Sequence, residues 1–327
     1  MKAVWFKSFG SPKEVLEVGD WDKPTPKHGE VLVKVHASGV NPSDTKKRAG
    51  ANPTLLDSGP VIPHSDGAGI IEAVGPGVPK TRVGERVWIY NGQYGRLEGT
   101  CAEYISVDSN TAVWMPDHVS FEVGALMGIP AMTAHRCVLA DGDVSGQIIL
   151  VTGGAGRVGY YAIQWAKHFG ATVIATASSA KSKQACVDAG ADLVVGHPSE
   201  SVNQEILDFT QGRKVDRVVE GDFGANLLPV LDIIRTSGII ASYSSMTDMN
   251  PYIPFVRMMF MNLTIRMVLV YELEEKDKDE AKADITACLI HNQLDHRVAA
   301  TFPLEETAQA HEMIEKVGIL GSVIIKV

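Results

Sequence analysis

The segment from Leu150 to Ser179, LVTGGAGRVGYYAIQWAKHFGATVIATASS, has the pattern of a strand, a glycine turn, a helix and a second strand. Gly154, Gly156 and Gly159 give the spacing G-x-G-x-x-G between the first strand and an amphipathic helix. Glycines let the backbone turn sharply and let a pyrophosphate approach the unpaired N–H groups at the helix start. A turn that only packs helix on strand is the alternative, but the context favours a dinucleotide-binding βαβ unit.

The pattern of apolar and polar residues changes near residue 125. After residue 125, short Val- and Ile-rich runs alternate with helix-period segments, which predicts βαβ units and a parallel sheet. The first 125 residues hold alternating apolar runs separated by Gly, Pro and Asn, which predicts a strand-rich, barrel-like domain. A charged helix, a strand–helix unit and the terminal strand GSVIIKV follow Met267. We therefore expect an α/β protein of two domains.

Composition narrows the class of partner. The 327 residues are 45% hydrophobic and 21% charged, which is ordinary for a folded globular protein. The net charge of −9 argues against nucleic acid or an anionic membrane, and no apolar run has the length of a membrane span. Four scattered cysteines without a CxxC pair indicate reduced thiols in a cytoplasmic protein.

The far end of the βαβ unit distinguishes between the two nicotinamide dinucleotides. An NAD site usually carries Asp or Glu there to accept the ribose 2′-OH. This chain has Thr176-Ala177-Ser178-Ser179, followed by Lys181 and Lys183. Hydroxyls and ammonium groups at a helix start suit a 2′-phosphate, so we predict NADPH. Lysines in a solvated first helical turn are the alternative.

Four segments carry a resemblance to a known family: GEVLVKVHASGVNPSDTKKRAG, GAGIIEAVGPGVPKTRVGERV, GIPAMTAHRCV and the glycine turn. Together they resemble the medium-chain dehydrogenase/reductase superfamily, and within it the zinc-free quinone oxidoreductase, zeta-crystallin-like branch. The resemblance implies a GroES-like, partly open β-barrel catalytic domain over residues 1–125 and 268–327. It implies a Rossmann doubly wound NADP-binding domain over residues 126–267, and a homodimer formed through the edge strand GIIASYS.

The same comparison addresses zinc. Where zinc alcohol dehydrogenases of the superfamily carry a cysteine ligand, this chain has Asn41, and Ser65 falls at their histidine position. His64 is one residue out of register, and no cysteine lies around residues 126–129. Because tetrahedral zinc needs three or four converging N or S ligands, we expect no metal.

Without a Lewis acid, oxidation of a simple alcohol is difficult, whereas a quinone or α,β-unsaturated carbonyl accepts hydride readily. The resemblance implies NADPH-dependent reduction of such acceptors. It places Asn41 beside the nicotinamide, with its amide donating to the developing oxyanion; a turn-forming role before Pro42 is the alternative. Asp44 fits a supporting role, fixing this loop or Arg48.

The cofactor-binding residues that we expect from the glycine pattern, the strand end and the resemblance are Asn41, Pro42, Thr133, Gly154, Gly156, Arg157, Val158, Gly159, Ser178, Lys183, His197, Ser244 and Ser245. Lys46 and Asn52 depart from the family's frequent pocket aromatics, which puts its aromatic-quinone preference in doubt. The Met-rich run FVRMMFMNLTIRMVLV indicates adaptable core or subunit packing.

Two alternatives stay open. One is a zinc-type alcohol dehydrogenase with unusual ligands. The other is an NADPH-binding protein without turnover, crystallin-like or RNA-binding, against which the acidic net charge counts. The favoured hypothesis is an enzyme: a zinc-independent NADPH reductase of quinones or enones.

Overall fold

The computed structural model describes residues 1–199, 201–316 and 318–327. They form two compact units, one of Met1–Ile129 with Lys282–Val327, and one of Pro130–Ala281. Both boundaries lie later in the chain than those expected at 125 and 267. The second lies within a helix whose Asp277 carboxylate pairs with Arg136 at 2.8 Å inside the second unit.

The strands of the described residues are β1 (Lys2–Trp5), β2 (Glu17–Asp20), β3 (Glu30–Val40), β4 (Asp66–Val74), β5 (Arg86–Ile89), β6 (Tyr104–Asp108), β7 (Ala112–Trp114), β8 (Ile148–Val151), β9 (Thr172–Ala177), β10 (Leu193–Gly196), β11 (Val215–Glu220), β12 (Ile234–Ser242), β13 (Thr264–Met267), β14 (Val298–Pro303) and β15 (Ser322–Lys326). The helices are α1 (Pro12–Val15), α2 (Pro42–Arg48), α3 (Phe121–Gly124), α4 (Thr133–Leu139), α5 (Arg157–His168), α6 (Ala180–Asp188), α7 (Val202–Phe209), α8 (Phe223–Ile233), α9 (Phe255–Phe260), α10 (Glu275–His291) and α11 (Thr307–Glu315). A π-helical turn covers Met127–Met132.

The first unit is built around β3. Its sheet has the order β14-β15-β3-β4-β5-β7, with β6 also pairing with β3, and only the β14–β15 pair is parallel. Val31, Val33 and Val35 of β3 point into one apolar core, and Leu32 between them is also buried, so both faces of the strand are covered there. The strand-rich first domain is therefore confirmed, and β3 carries the chain to the start of α2.

The second unit is a six-stranded parallel sheet with the order β10-β9-β8-β11-β12-β13. The chain moves outward from β8 through β9 to β10, then crosses back to β11 and continues in the opposite direction. This doubly wound order is the predicted one, and it creates a switch point between β8 and β11. In such sheets, ligands bind outside the carboxyl ends of the strands at the switch point.

One prediction about the sheet edge is wrong. The run GIIASYS lies mostly in β12, which is an inner strand paired with β11 on one side and β13 on the other. The edge strand is β13, formed by residues Thr264–Met267 of the Met-rich run. Alternating apolar residues in that run suit a short parallel strand, and its neighbour can be identified only from the tertiary fold.

No helix in the described parts of the chain combines the length and apolarity that a bilayer crossing requires.

Candidate functional site

The glycine turn joins β8 to α5 in a tight, hydrogen-bonded arrangement. Gly153 has φ +59°, a left-handed conformation that glycine adopts without steric cost. Its N–H donates to the Thr176 hydroxyl at 2.9 Å, and the Gly154 N–H donates to the Thr176 carbonyl at 3.0 Å. A Cβ on Gly159 would lie 2.6 Å from the Gly153 carbonyl oxygen, so only glycine fits where the helix packs on the turn.

The N-terminus of α5 is open to an anion. Gly156 is the N-cap, and no side chain caps the helix. The N–H groups of Arg157, Val158 and Gly159 therefore lack intrahelical partners and lie at the positive end of the helix dipole. Within the described residues the Arg157 guanidinium pairs with no carboxylate, and burial lowers its pKa. This arrangement suits a pyrophosphate.

Two adjoining cavities of about 520 and 420 Å³ lie at the carboxyl ends of the parallel strands and share Thr152, Thr176, His197 and Asn226. The smaller one is lined by Thr152, Gly153, Thr176, Ala177, Ser178, His197, Gly221, Asp222, Ala225, Asn226, Tyr243 and Thr247. Two of the predicted cofactor residues, Ser178 and His197, are thus in its wall. The position matches the binding crevice of a doubly wound sheet.

The end of β9 presents hydroxyl and ammonium groups. Ser178 is exposed, and Ser179 caps α6 by accepting the Ser182 N–H at 3.1 Å. Lys181 and Lys183 are exposed and have no carboxylate partner among the described residues. The Lys183 ammonium leans over the end of β10, 3.2 Å from where a Cβ on Gly196 would be. An anionic group on a bound ribose would meet positive charge here.

Other predicted cofactor residues serve the framework of the second unit. The Ser245 hydroxyl accepts the Gly224 N–H at 2.9 Å and donates to the Asp248 carbonyl, so it holds the turn after β12. The Ser244 carbonyl accepts the Phe223 N–H at 3.0 Å. Thr133 is buried at the first position of α4. These contacts fix the chain at the switch point.

Four cavity-lining residues and a buried acid were not among the residues predicted from the sequence: Thr152, Asp222, Asn226 and Thr247, and the acid Glu220. The Glu220 carboxylate, at the end of β11, accepts hydrogen bonds from the Thr152 hydroxyl at 2.9 Å and the Asn226 amide at 2.8 Å. Asp222 binds the Thr247 hydroxyl and main-chain N–H. The sequence shows only two acidic residues in the run EGD at the end of a buried strand, which is not a motif with a spacing of its own.

In the first unit, Asn41 lies between the end of β3 and the start of α2. Its main-chain N–H donates to Asp44 Oδ2 at 2.8 Å, and Pro42 occupies the first helical position. Its side-chain Nδ2 donates to Asp66 Oδ2 at 2.8 Å, and the Ile129 N–H donates to the same oxygen at 2.9 Å. Asn41, Asp44 and Asp66 are all buried. The structure thus brings the two predicted residues together with Asp66, which the sequence did not single out.

Burial controls the charges in this cluster. Desolvation raises the pKa of Asp44 to about 6 and that of Asp66 to about 8, while the nearby Lys47 ammonium lowers both. Desolvation also lowers the pKa of Lys47, which donates to the Gln93 carbonyl and side-chain oxygen at 3.0 and 2.9 Å. Asp66 therefore holds a proton at neutral pH.

Neighbouring residues of α2 have separate roles. Arg48 is buried and donates to the Gly10 carbonyl and to Glu315, so Asp44 fixes the Asn41 loop rather than Arg48. Lys46 is half-buried, and desolvation lowers its pKa. Asn52 accepts hydrogen bonds from the main chain and hydroxyl of Thr54, so its side chain closes a turn.

The residues at the family's zinc positions do not form a tetrahedral site. His64 is fully buried, with Nδ1 at 2.8 Å from the Ser38 hydroxyl and Nε2 at 2.8 Å from His311 Nε2. Ser65 and Asn41 supply neutral oxygen and amide groups in place of imidazole and thiolate. Throughout the described residues, no group of three or more His, Cys, Asp or Glu side chains could hold a metal ion.

Comparison with known proteins identifies the family of the chain. Residues 27–117 match the family described as alcohol dehydrogenase GroES-like domain, and residues 158–286 match the one described as zinc-binding dehydrogenase. The quinone oxidoreductase of Sus scrofa is 31% identical over 99% of this chain and 97% of its own. Two mycobacterial structures, a quinone oxidoreductase and a protein complexed with NADPH, are each 28% identical over the full length of both chains, with TM-scores of 0.89 and 0.88. The chain therefore belongs to the quinone oxidoreductases of the medium-chain dehydrogenase/reductase superfamily, with a GroES-like domain followed by a Rossmann domain.

Proposed function

We propose that this protein is an NADPH-dependent reductase that transfers hydride to quinones or α,β-unsaturated carbonyl compounds without zinc. The observation that carries the proposal is the Asn41 amide, held 2.8 Å from Asp66 in a buried loop. It occupies the position where zinc dehydrogenases of the superfamily carry a metal-binding cysteine. A hydrogen-bond donor there serves a developing oxyanion, as a metal would, but only for an acceptor that is already electron-poor.

NADPH is the cofactor that the second unit suits. The open N-terminus of α5 fits a pyrophosphate, and Ser178 with Lys183 fits a ribose 2′-phosphate. The mycobacterial relative complexed with NADPH supports the same choice. We therefore assign cofactor binding to the second unit and acceptor activation to the Asn41 loop of the first.

The chemistry divides between cofactor and chain. NADPH, when bound, supplies the hydride that the acceptor carbon takes up. Asn41 donates an N–H to the acceptor oxygen as negative charge gathers there, and its burial strengthens that interaction. Asp44 holds the main chain of this loop in place, so the donor needs little rearrangement at the moment of transfer.

We also propose a homodimer formed through β13. This edge strand and the adjoining α9 expose large apolar side chains, with Phe260 exposed to 79%, Phe255 to 69% and Met267 to 65%. A contiguous apolar surface beside an open strand edge is typical of an interface, and a second copy offers the same edge. The free, buried cysteines support a reducing cytoplasmic setting, and the net charge of −9 argues against a nucleic-acid partner.

The test is oxidation of NADPH or NADH, followed by absorbance, against a panel of quinones, enones and simple alcohols. We expect quinone- or enone-dependent oxidation of NADPH, with NADH much poorer and with activity retained after treatment with a strong chelator. One tightly held zinc per chain together with alcohol-dependent NADP reduction would favour the dehydrogenase alternative. NADPH binding without turnover on any acceptor would favour a non-catalytic protein.

A further inference from the structure

We infer that Asp66 is a positioning residue that fixes the orientation of the Asn41 amide, so that one Asn41 N–H is held and the other is left to the acceptor oxygen. The inference rests on the proposed function. It assigns Asp66 no direct contact with the acceptor. The hydrogen bond to Asp66 is what makes the Asn41 side chain a donor toward the acceptor oxygen.

The direction of the hydrogen bonds follows from Ile129. A main-chain N–H can only donate, so Asp66 Oδ2, which receives it at 2.9 Å, is an acceptor. With that oxygen as a pure acceptor, the Asn41 group that lies 2.8 Å from it is the NH₂ and not the carbonyl. One of the two amide hydrogens is used by Asp66, and the second hydrogen remains for another acceptor.

Burial makes this orientation strict. Asn41 is 4% exposed and Asp66 is inaccessible to solvent, so water cannot compensate for a lost hydrogen bond. Against an acceptor oxygen of Asp66, a flipped amide would place two acceptors at hydrogen-bond distance and leave only the Ile129 N–H as donor, which is costly in a buried site. When Asp66 is protonated, the observed orientation requires the proton to be on Oδ1, so that Oδ2 can accept both N–H groups.

Gly128 leaves the space that this carboxyl needs. A Cβ at position 128 would lie 2.0 Å from Asp66 Oδ1. Any larger residue must displace the carboxyl, since that atom is buried and belongs to the fixed Asn41–Asp66 pair. Gly128→Ala is thus a way to move Asp66 without changing its chemistry.

An exchange of the two side chains separates positioning from packing. In the double variant Asn41→Asp/Asp66→Asn the pair can still form a hydrogen bond, because the amide oxygen introduced at position 66 can accept both the Ile129 N–H and the proton of a neutral carboxyl at position 41. We expect its Tm to return close to that of the wild type, above that of Asn41→Asp alone. We expect its kcat with a quinone to stay at least about tenfold down, because position 41 no longer carries an amide donor.

Single variants complete the test. Asp66→Asn keeps an accepting oxygen and should retain kcat within about threefold, while Asp66→Leu and Gly128→Ala should each lower kcat about tenfold or more. The Kd for NADPH should stay within about threefold in all of them, because the cofactor residues are untouched. Thr307→Val, which removes a buried hydroxyl hydrogen bond elsewhere in the same unit, is the control and should change Tm but not kcat.

Recovery of kcat together with Tm in the exchanged double variant would overturn the inference, as would wild-type kcat in Asp66→Leu or in Gly128→Ala. If Asp66→Leu fails to fold, the kcat values of Gly128→Ala and of the exchanged double variant still test the inference. If the wild type reduces no acceptor, the proposed function is refuted. That result differs from an active wild type whose Asp66 and Gly128 variants keep the wild-type kcat, which refutes only this inference.

Discussion

His64 Nε2 lies 2.8 Å from His311 Nε2, although 247 residues separate the two histidines in the chain. The Thr100 hydroxyl donates to the Asp66 carbonyl at 2.6 Å, so the Ser38 hydroxyl donates to Thr100 and accepts from His64 Nδ1. His64 therefore accepts at Nε2, and His311 is the donor. Both imidazoles are neutral, since burial holds the pKa of His64 well below its usual range and lowers that of His311 to about 3.

This pair predicts that His311 stabilises the segment before Asp66. His64 has φ +77°, a left-handed conformation that is strained for a residue with a side chain, and its two hydrogen bonds oppose relaxation. We expect His311→Phe to lower the free energy of unfolding by about 1–3 kcal/mol, because it leaves a buried acceptor unpaired. Urea denaturation checks this. His311→Gln, whose amide can donate to His64, should lose less unfolding free energy than His311→Phe. Equal losses in the two variants would contradict the hydrogen-bond explanation.

The same pair predicts a pH dependence. The pKa of an unfolded histidine is about 6.5, whereas native His311 resists protonation down to about pH 3. Between these values the unfolded state binds a proton that the native state does not, so stability falls as pH drops, by at most about 1.4 kcal/mol per pH unit per histidine. The stability difference between wild type and His311→Phe should therefore shrink from pH 7 to pH 5. A constant difference would show that His311 titrates normally in the native state.

Cofactor preference should depend on charge at the end of β9. Ser178→Glu places a carboxylate where we propose the 2′-phosphate, and we expect the Kd for NADPH to rise about tenfold or more while that for NADH changes little. Lys183→Ala should weaken NADPH binding by a smaller factor. Ser178→Ala is the uncharged control, and titration calorimetry gives each Kd. Equal effects on NADPH and NADH would place the ribose phosphate elsewhere.

Asp141 should be the most sensitive surface-accessible carboxylate of the second unit. It pairs at 2.8 Å with Arg217, whose side chain is only 2% exposed, and also binds Arg266. Asp141→Ala leaves the Arg217 charge buried and unpaired, so we expect a loss of about 3 kcal/mol in unfolding free energy. The exposed pair Asp232–Arg257 is the control, and Asp232→Ala should cost less than about 1 kcal/mol. Similar losses at both sites would contradict the importance of burial.

The proposed dimer can be tested through its apolar surface. We expect size-exclusion chromatography with light scattering to give the wild type a mass of twice the 35.2 kDa chain. Phe260→Asp with Met267→Asp should give monomers, because charged groups cannot be buried unpaired in an interface. Leu228→Asp, on α8 and 53% exposed, is the control and should leave the mass unchanged. A monomeric wild type would remove the proposal.

Local patterns were enough to predict much of the fold. The glycine spacing, the period of the helices and the Val-rich strands each reflect interactions between residues close in sequence, so the parallel sheet and the turn at Gly153 followed from them. The edge strand did not follow, because β12 and β13 have similar apolar patterns and their order depends on tertiary packing.

Long-range contacts explain what the sequence left out of the site. Asp66 forms hydrogen bonds with Asn41, 25 residues away in the sequence, and with Ile129, 63 residues away. No local sequence motif predicts contacts between residues so far apart. His311 looked like any polar residue of an amphipathic helix. Asn41 itself was found because the resemblance marked its position, and Glu220 was overlooked because a buried acid at a strand end carries no spacing of its own.

The donor role of Asn41 is the central claim, and a single-turnover measurement tests it most directly. NADPH-loaded wild type and Asn41→Ala are mixed with excess quinone in a stopped-flow instrument, and the decay of NADPH absorbance gives the rate of hydride transfer. We predict a rate about 100-fold lower in Asn41→Ala at saturating NADPH, as for the loss of one oxyanion donor. A variant that transfers hydride at the wild-type rate would contradict the account.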